Sequence, residues 1–532
     1  APGSPLLPHL VPPPPPEPNP ASDEPREVAA GEAEQAAGEA AEAAKVDDQG
    51  EQQGDQQDEA PKPKRPQELR PMRVLEGLAA SGLRAIRYAR EVEGVGVVVA
   101  NDMDEAAAES IRVNTAANGP VAQEMVIPHH ADARVLMMTH EGLFDVVDLD
   151  PYGTPVQLLD SGVQAVADGG LMCITATDMA VLCGNNAEVC RSKYGAFPAK
   201  AKHCHEQALR ILLGCIEAHA NRHRRYIKPV LSVSVDFYIR VFVRVYTSPA
   251  EVKRSSLKSS YLYQCVGCDS YLFQPCGRET KTNKVAPGYG PTASPTCSDC
   301  GWRYNMAGPM WTEPIHDSEW VTGVLESLRA EPERYPGYDK VHALMTTVSE
   351  ELLDAPLYYS MHNLAHTLRC AAISLPLMWS ALINAGYKVS GSHANPLALK
   401  TDAPNHVVWD ILRCWVQEHP VNSEKDSPGA VILAKEPELK ASFARAKGAF
   451  SRAKTEGIPR FINNPEANWG PKARAGRPVA TLPAPMVAAV ENAQAQLPMR
   501  SAKTAGKRGA EEPAPSEPNS KVSKAAGTAE NE

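Results

Sequence analysis

From Arg73 onward the chain alternates short β-branched or aliphatic runs with stretches whose apolar residues recur at helical spacing. RVLE leads through a small-residue loop into LRAIRYARE, and VGVVVAND leads into EAAAESIRVNTAA. HHADARVLM places Asp132 before another helical stretch, and FDVV runs into DLDPYGTP, Asp148 to Pro155. A strand period followed by a helix period, once per unit, predicts an α/β fold with a doubly wound parallel sheet and a ligand across its carboxyl edge. LMCITATDMAVL supplies a further strand, HEQALRILLGCIEAHANR an amphipathic helix, and VLSVSVDFYIRVFVRVY a pair of strands that closes this unit near Tyr246.

Beyond it, EWVTGVLESLRA and DKVHALMTTVSEELL have the spacing of amphipathic helices. YYSMHNLAHTLRC and SLPLMWSALINAGYKVSGSHANPLALKTDAP read as helix, turn, helix and a short hairpin. That order is winged-helix-like, an arrangement that sets a helix and a wing against a nucleic-acid backbone. Leu364, Leu368, Leu377, Leu382 and Ile383 are expected in its core. No 18-residue apolar span interrupts the pattern, so a soluble protein is expected.

Chemistry enters at the loops. Gly77, Ala79, Ala80, Ser81 and Gly82 carry little side-chain bulk, so a ligand can approach the backbone. The dinucleotide fingerprint G-x-G-x-x-G is absent and no P-loop lysine follows, which argues against a bound pyrophosphate or ATP. Asp102, at the end of the second strand, is placed to accept from ribose hydroxyls. Asp132 can accept from an adenine amine, to which the Ala133 N–H can donate in turn. Taken singly, Glu76, Asp102 and Asp132 each more often cap a helix; taken together, one β-α unit apart, they describe an S-adenosylmethionine site. At the fourth station the Asp150 carboxylate and the Pro151 carbonyl offer two acceptors beside the ring of Tyr152. Such a seat can orient the N–H groups of a nucleobase amine and localise its lone pair for attack on an electrophilic methyl. The bland alternative is a turn after a strand. Asp178, one strand later, either orients this loop or is a satisfied cap.

Twelve cysteines without a secretory apolar segment suggest reduced thiols. Cys265, Cys268, Cys297 and Cys300 form C-x2-C, 28 intervening residues and C-x2-C, the pattern of one closed, structural zinc site. Cys276 lacks a paired partner; Cys173, Cys183, Cys190, Cys204, Cys215, Cys370 and Cys414 are expected as small buried thiols. His203 and His205 beside Glu206 open a helix with no third ligand nearby in sequence, so a cap or loop role is favoured over a metal.

Charge is segregated. Residues 1–68 carry 15 acidic and 5 basic side chains in a Pro-, Gln- and Glu-rich, aromatic-free sequence, which accounts for the whole formal charge of −10 and reads as disorder. From Ala441 to Arg508, 12 Lys and Arg face 3 Glu, interleaved with Phe443, Phe450, Phe461 and Trp469, a mixture suited to RNA. For the part after Ala484 a solvated tail is favoured.

LEGLAASGLR, the Asn101-Asp102 pair, the DAR segment, DLDPYGTP, TATDMAVL, CHEQALRILL, SVDFYIRVFVRVY, GPMW, PLYY, KTDAP and NNPEANWGP together resemble the eukaryotic tRNA guanine-N2 dimethyltransferases, over most of Arg73 to Pro471. The resemblance implies two methyl transfers from S-adenosylmethionine to the N2 amine of the guanosine between the D stem and anticodon stem of tRNA. It implies a Rossmann-like class I methyltransferase domain followed by an α+β C-terminal domain with a zinc-binding module. Arg84, Asp102, Asp132 and Ala133 would hold the cofactor, along the loop that begins at Glu76 and Gly77, and Asp150 would be catalytic, with Pro151 and Tyr152 seating the base. The expected plan is a disordered acidic segment over 1–70, a methyltransferase domain over 71–248, a zinc module over 249–312, a tRNA-binding domain over 313–472 and a disordered tail over 473–532. The family's opening asparagine-proline segment and Asn-Arg-Asp triplet are missing before Arg73, so an N-terminally incomplete chain is expected. The expected partner is tRNA, the state monomeric, and the compartment nuclear, with mitochondrion or plastid as alternatives. The alternatives in activity are a non-catalytic zinc-containing tRNA-binding protein and an adenine or cytosine amine methyltransferase.

Overall fold

The computed structural model describes residues 70–421 and 426–462. The acidic segment through residue 69, the NNPEANWGP string, Trp469 and the 473–532 tail lie outside the described residues.

Strands β1 (Met72–Glu76), β2 (Val95–Asp102), β3 (Val126–His130), β4 (Phe144–Leu149), β5 (Val166–Ala176), β6 (Arg225–Val235) and β7 (Tyr238–Thr247) form one sheet in the order β3-β2-β1-β4-β5-β7-β6. Between them run α1 (Leu83–Glu91), α2 (Glu105–Ala117), α3 (Pro120–Met125), α4 (Ala133–Met138), α5 (Val156–Ala165), α6 (Met179–Leu182), α7 (Ala187–Tyr194) and α8 (Cys204–Arg222). The side-chain period of 2 divides the core. Val74 and Val98 pack with Ala85, Ile86 and Ile111 of α1 and α2, while Leu75 and Val99 pack on the other face with Leu136, Leu159 and Leu209 of α4, α5 and α8. Strands β1 to β5 are parallel. The pair of strands that closes the expected parallel sheet makes it mixed, because β7 runs antiparallel to both β5 and β6. Only Asp236 and Phe237 join β6 to β7, and a two-residue connection can close only an antiparallel pair.

After α9 (Pro249–Val252), strands β8 (Ser259–Cys265), β9 (Tyr271–Pro275) and β12 (Tyr304–Trp311) pair in the order β12-β8-β9, with a small hairpin of β10 (Gly277–Glu279) and β11 (Val285–Pro287) beside them. Helices α10 (Ser318–Ala330) and α11 (Tyr338–Ser349) come next. Then follow β13 (Tyr359–Ser360), α12 (Met361–Leu368), α13 (Leu375–Asn384), β14 (Val389–Ser392), β15 (Asn395–Thr401) and α14 (Asn405–Glu418), with a sheet order β13-β15-β14. Leu364, Leu368 and Leu382 are buried there, and Leu377 packs against the same core. The tip of the β14–β15 hairpin is turned inward rather than presented as an open wing. His393 is buried, and its Nε2 accepts from the Ser234 N–H of β6 at 3.0 Å. Below it, Glu206 of α8 is fully buried and accepts from Lys400 Nζ of β15 at 2.8 and 2.9 Å, from Arg210 at 2.8 and 3.0 Å, and from the Leu357 N–H at 2.8 Å. Two carboxylates balance two cations here, since Lys400 also lies 3.7 Å from buried Glu351. This satisfied ion cluster ties the first sheet unit to the C-terminal one.

Candidate active site and cysteine cluster

A cleft of about 780 Å3 opens at the carboxyl edge of β1, β2, β4 and β5, lined by Glu76, Ala79, Ala80, Ser81, Arg84, Asp102, Asp150, Pro151, Tyr152 and Thr177 among others. A larger cleft of about 900 Å3 lies on the α1 face of the sheet, walled by Val74, Val146, Leu171, Phe242 and Trp320. Its lining is mainly apolar, and its two carboxylates, Asp145 and Asp168, accept from Arg70 and from the Thr247 N–H, so the first cleft is the candidate for the chemistry.

Small residues shape the loop between β1 and α1. Gly82 has φ 76°, and a Cβ there would meet Ile111 Cγ2 at 3.0 Å, so glycine is required on two counts. Ala80 holds φ 50°, a left-handed conformation that costs a non-glycine residue roughly 1–3 kcal/mol. Its N–H donates to Asp102 Oδ2 at 2.8 Å, and the Asp104 N–H donates to Asp102 Oδ1 at 3.0 Å. Asp102 is thereby fixed at the rim with lone pairs to spare. Gly77 sits deeper: its N–H donates to the Asp148 carbonyl at 2.9 Å, and its carbonyl accepts from Asn101 Nδ2 at 3.0 Å. Asn101 also donates to the Ala131 carbonyl at 3.0 Å, and so ties the loops after β1 and β3 to the end of β2.

Glu76 is 3% exposed and accepts from the Ala85 N–H of α1 at 2.9 Å. Its register partner on β4 is Asp148. Burial pushes the Glu76 carboxyl up to about 8; the nearby Arg84 guanidinium pulls it down and Asp148 raises it further. Asp148, with no exposed surface, accepts from Arg240 Nη2 at 2.8 and 3.0 Å and from the Tyr88 hydroxyl at 2.5 Å. Burial, with the charge of Asp148, holds the Tyr88 phenol well above its ordinary value, so it remains a donor. Arg240 Nη1 donates to Thr175 Oγ1 at 2.6 Å. Arg84 spans the cleft, with Nη1 3.4 Å from Asp148 Oδ1 and Nη2 donating to Asp150 Oδ2.

The D-P-Y-G turn is stapled to the end of β5, where the Gly153 N–H donates to Thr177 Oγ1 at 2.8 Å and the Thr177 N–H donates to the Gly153 carbonyl at 2.9 Å. Pro151 is buried, whereas the ring of Tyr152 is fully exposed at the mouth of the cleft.

Of the expected cofactor residues, Glu76, Arg84 and Asp102 line this cleft; Gly77, Asp132 and Ala133 do not. Asp132 caps α4 through the Arg134 N–H at 2.9 Å and pairs with the Arg134 guanidinium at 2.6 Å. Asp178 is a satisfied structural acid, accepting from the Tyr194 hydroxyl at 2.6 Å with Lys193 Nζ at 3.4 Å. His203 makes no side-chain cap; its Nε2 meets Gln264 Oε1 at 2.8 Å. Tyr88, Asp148, Arg240 and Asn101 do not stand out as site residues in the sequence. A charged residue in the middle of the β-branched run SVDFYIRVFV is the signal for Arg240.

In the segment of β8 to β12, Cys265, Cys268, Cys297 and Cys300 are buried together. Their sulfurs approach to 3.4 Å between Cys265 and Cys300 and 3.7 Å between Cys268 and Cys297. A tetrahedron with Zn–S bonds of about 2.3 Å has edges of about 3.8 Å, so the four thiols fit one zinc ion. The Gly267 N–H donates to Cys265 Sγ at 3.3 Å, and Ser270, 3.3 Å from Cys268 Sγ, accepts from Trp409 Nε1 of α14 at 2.8 Å.

A sheet of this order, with a small-residue loop and a ring of carboxylates at its carboxyl edge, defines a Rossmann-like methyltransferase. A family model for N2,N2-dimethylguanosine tRNA methyltransferases matches residues 35–413. The chain belongs to that family. It is 56% identical over 420 residues to tRNA (guanine(26)-N(2))-dimethyltransferase 2 of Arabidopsis thaliana, a match that covers 78% of this chain and 71% of the relative. It is 47% identical over 414 residues to the Homo sapiens tRNA (guanine(26)-N(2))-dimethyltransferase, covering 76% and 62%. Among solved structures it is similar to Trm1 from Pyrococcus horikoshii in complex with S-adenosyl-L-methionine, at 28% identity and a TM-score of 0.55, over 64% of this chain and 87% of that one.

Proposed function

We propose that this chain dimethylates the N2 amine of guanosine 26 in tRNA, with S-adenosylmethionine as methyl donor, as its relatives are named for doing. The observation that carries the reading is the placement of Asp150 in the same cleft as Glu76, Arg84 and Asp102, with the Tyr152 ring exposed beside it. The cleft volume falls in the roughly 300–1,000 Å3 range of small-molecule sites.

The cofactor supplies an electrophilic methyl on a sulfonium. Asp102 would accept from its ribose hydroxyls and Glu76 would face its cationic end; the Asp132–Ala133 turn lies outside the cleft lining and would serve the adenine only if Asp132 were released from Arg134. Arg84, bonded to Asp150 here, would hold the cofactor carboxylate, which would leave Asp150 to the base. The guanine must leave its stack, at a cost of a few kcal/mol. Tyr152 receives it by stacking, and Asp150 with the Pro151 carbonyl orients the amine for in-line attack, an effect of proximity and local electrostatics. One N–H remains after the first transfer, so the same acceptors can orient it again. Asp148, locked by Arg240 and Tyr88, holds the floor beneath both groups.

Zinc on the four cysteines is structural: all four ligands come from the protein, and the Ser270–Trp409 bond carries its rigidity into α14. For tRNA we favour the C-terminal unit, taken over 313–472 after a catalytic domain over 71–248 and a zinc module over 249–312. Its helix pair and hairpin have winged-helix order, but with the hairpin tip docked on β6 and α13 largely buried and without a cation, the RNA contact falls instead to the strip after Ala441. In that strip Arg445, Lys447, Arg452 and Lys454 are exposed, with Arg445 and Lys454 each over the Phe450 ring, at 4.8 and 4.6 Å. A yeast relative is named as mitochondrial, so mitochondrion or plastid stands beside the nucleus as a compartment to be tested by localising a tagged chain. The activity is tested by methyl transfer from labelled S-adenosylmethionine into unmodified tRNA, with nucleoside mass spectrometry. Dimethylguanosine is expected; methylated adenosine or cytidine in its place would replace the assignment, and tRNA binding with no product would favour a non-catalytic binder.

A further inference from the structure

Among the described residues a second group of metal-type donors lies outside both sites. Cys183 follows α6, and Cys204 and His205 are the first two residues of the 19-residue helix α8. Two thiol sulfurs and one imidazole nitrogen lie within 4.8 Å of one another. Sequence spacing hides this trio, because 20 residues separate Cys183 from Cys204. The fold closes that segment and brings a third donor to a histidine that has only one cysteine beside it in sequence.

We propose that Cys183, Cys204 and His205 form a second metal site, of Cys2His type, that takes Zn(II) with its fourth position open to water. Three features distinguish the trio from ordinary core thiols. All three side chains are half-buried, so an ion can reach them, whereas Cys173, Cys190 and Cys215 are buried. Cys183 and Cys204 come from two different elements, so it is the fold that brings the two thiols to the same imidazole. His205 Nδ1 lies 3.3 Å from Ser234 Oγ, so the ring is oriented by an outer partner, as zinc-bound imidazoles usually are. Ligand atoms of a tetrahedral zinc ion stand about 3.5–3.8 Å apart, so a modest contraction completes the site. Two thiolates also neutralise the dication. The competing trio of His316, Glu351 and His393 fails on that count, since Lys400 Nζ is 3.7 Å from Glu351 and the cluster is already balanced.

An ion here would clasp the segment 184–203, which carries α7 and the Tyr194 hydroxyl that holds Asp178, next to cleft residue Thr177. The site therefore braces the edge of the active cleft without entering it.

The test is zinc stoichiometry of the full chain, purified under reductant, loaded with Zn(II), freed of excess metal, and compared with Cys183→Ala and with Cys183→Ala/Cys204→Ala. The expected result is two equivalents per chain falling to one in both variants, with circular dichroism unchanged. Cobalt(II) loading should lose thiolate-to-metal absorption in the same variants while keeping that of the four-cysteine cluster. A fall from one equivalent to none would support this site and count against the four-cysteine one. Stoichiometry that is the same in wild type and both variants would overturn the proposal.

Discussion

Replacing Glu76 by Gln should uncouple cofactor binding from pH. In the ligand-free protein the Glu76 carboxyl titrates at about 8, raised mainly by burial. At pH 7 only about one molecule in eleven then carries the ionised form, and a cationic ligand facing Glu76 must first expel the proton, a cost of about 1.4 kcal/mol. Affinity should therefore rise about tenfold between pH 7 and pH 9 as this cost disappears. The amide of the Glu76→Gln variant has no proton to release, so the affinity ratio of wild type to E76Q should carry the whole slope, with any titration of the ligand itself cancelled. Calorimetry in buffers of different ionisation heat counts the proton directly: about 0.9 released per cofactor bound by wild type at pH 7 and none of it by E76Q. The same shift has a stability consequence of opposite sense. The folded state keeps a proton that the unfolded chain loses above about 4.5, so stability falls as pH rises from about 4.5 to 8, by at most about 5 kcal/mol. E76Q should flatten that fall as well. Equal pH slopes for the two proteins would refute the placement of Glu76 against the cofactor's cationic end.

Tyr152→Ala should lower kcat/KM for tRNA about 5- to 150-fold, the loss of one base stack of roughly 1–3 kcal/mol, while Tyr152→Phe stays close to wild type; equal losses in both would point to the hydroxyl instead. Arg240→Ala leaves Asp148 buried with Tyr88 and the distant Arg84 as partners, and should cost about 3–5 kcal/mol in urea unfolding, partly recovered in Arg240→Lys. An unchanged unfolding midpoint would deny Arg240 its bracing role. Chelating zinc from the Cys183→Ala variant, in which the four-cysteine cluster is the zinc site left, should release the Ser270–Trp409 bond, shift tryptophan fluorescence to the red and weaken tRNA binding while cofactor binding persists. Loss of both binding activities in that variant would mean that the four-cysteine metal supports more than the RNA-binding side.

The legible parts of the molecule are those written in local order. Strand-helix alternation leads to the sheet up to β5, and the short Asp236-Phe237 connection carries the antiparallel β7 once turn length is weighed against the parallel rule. The cleft is located through DPYG and the small-residue loop, because each lies within a few residues of a strand end. Asp148 and Arg240 are harder: they meet across 92 positions, and their pairing depends on β5 and β7 being neighbours. Asp132 and Asp178 have two readings in sequence. For Asp178 the structure supplies partners, Tyr194 and Lys193, that explain its burial without a ligand. The docking of the β14–β15 hairpin is not readable at all, since the Ser234–His393 and Glu206–Lys400 contacts span 159 and 194 positions.

The central claim is that Asp150 orients the guanine amine for methyl transfer, and the most direct measurement is single-turnover methylation of unmodified tRNA by Asp150→Ala and Asp150→Asn, with tRNA and cofactor affinities measured on the same preparations. The account predicts at least an approximately 100-fold loss in the methyl-transfer rate, the scale of removing one preorganised group, with both affinities within about threefold of wild type. Dimethylguanosine formed at the wild-type rate by either variant would contradict it.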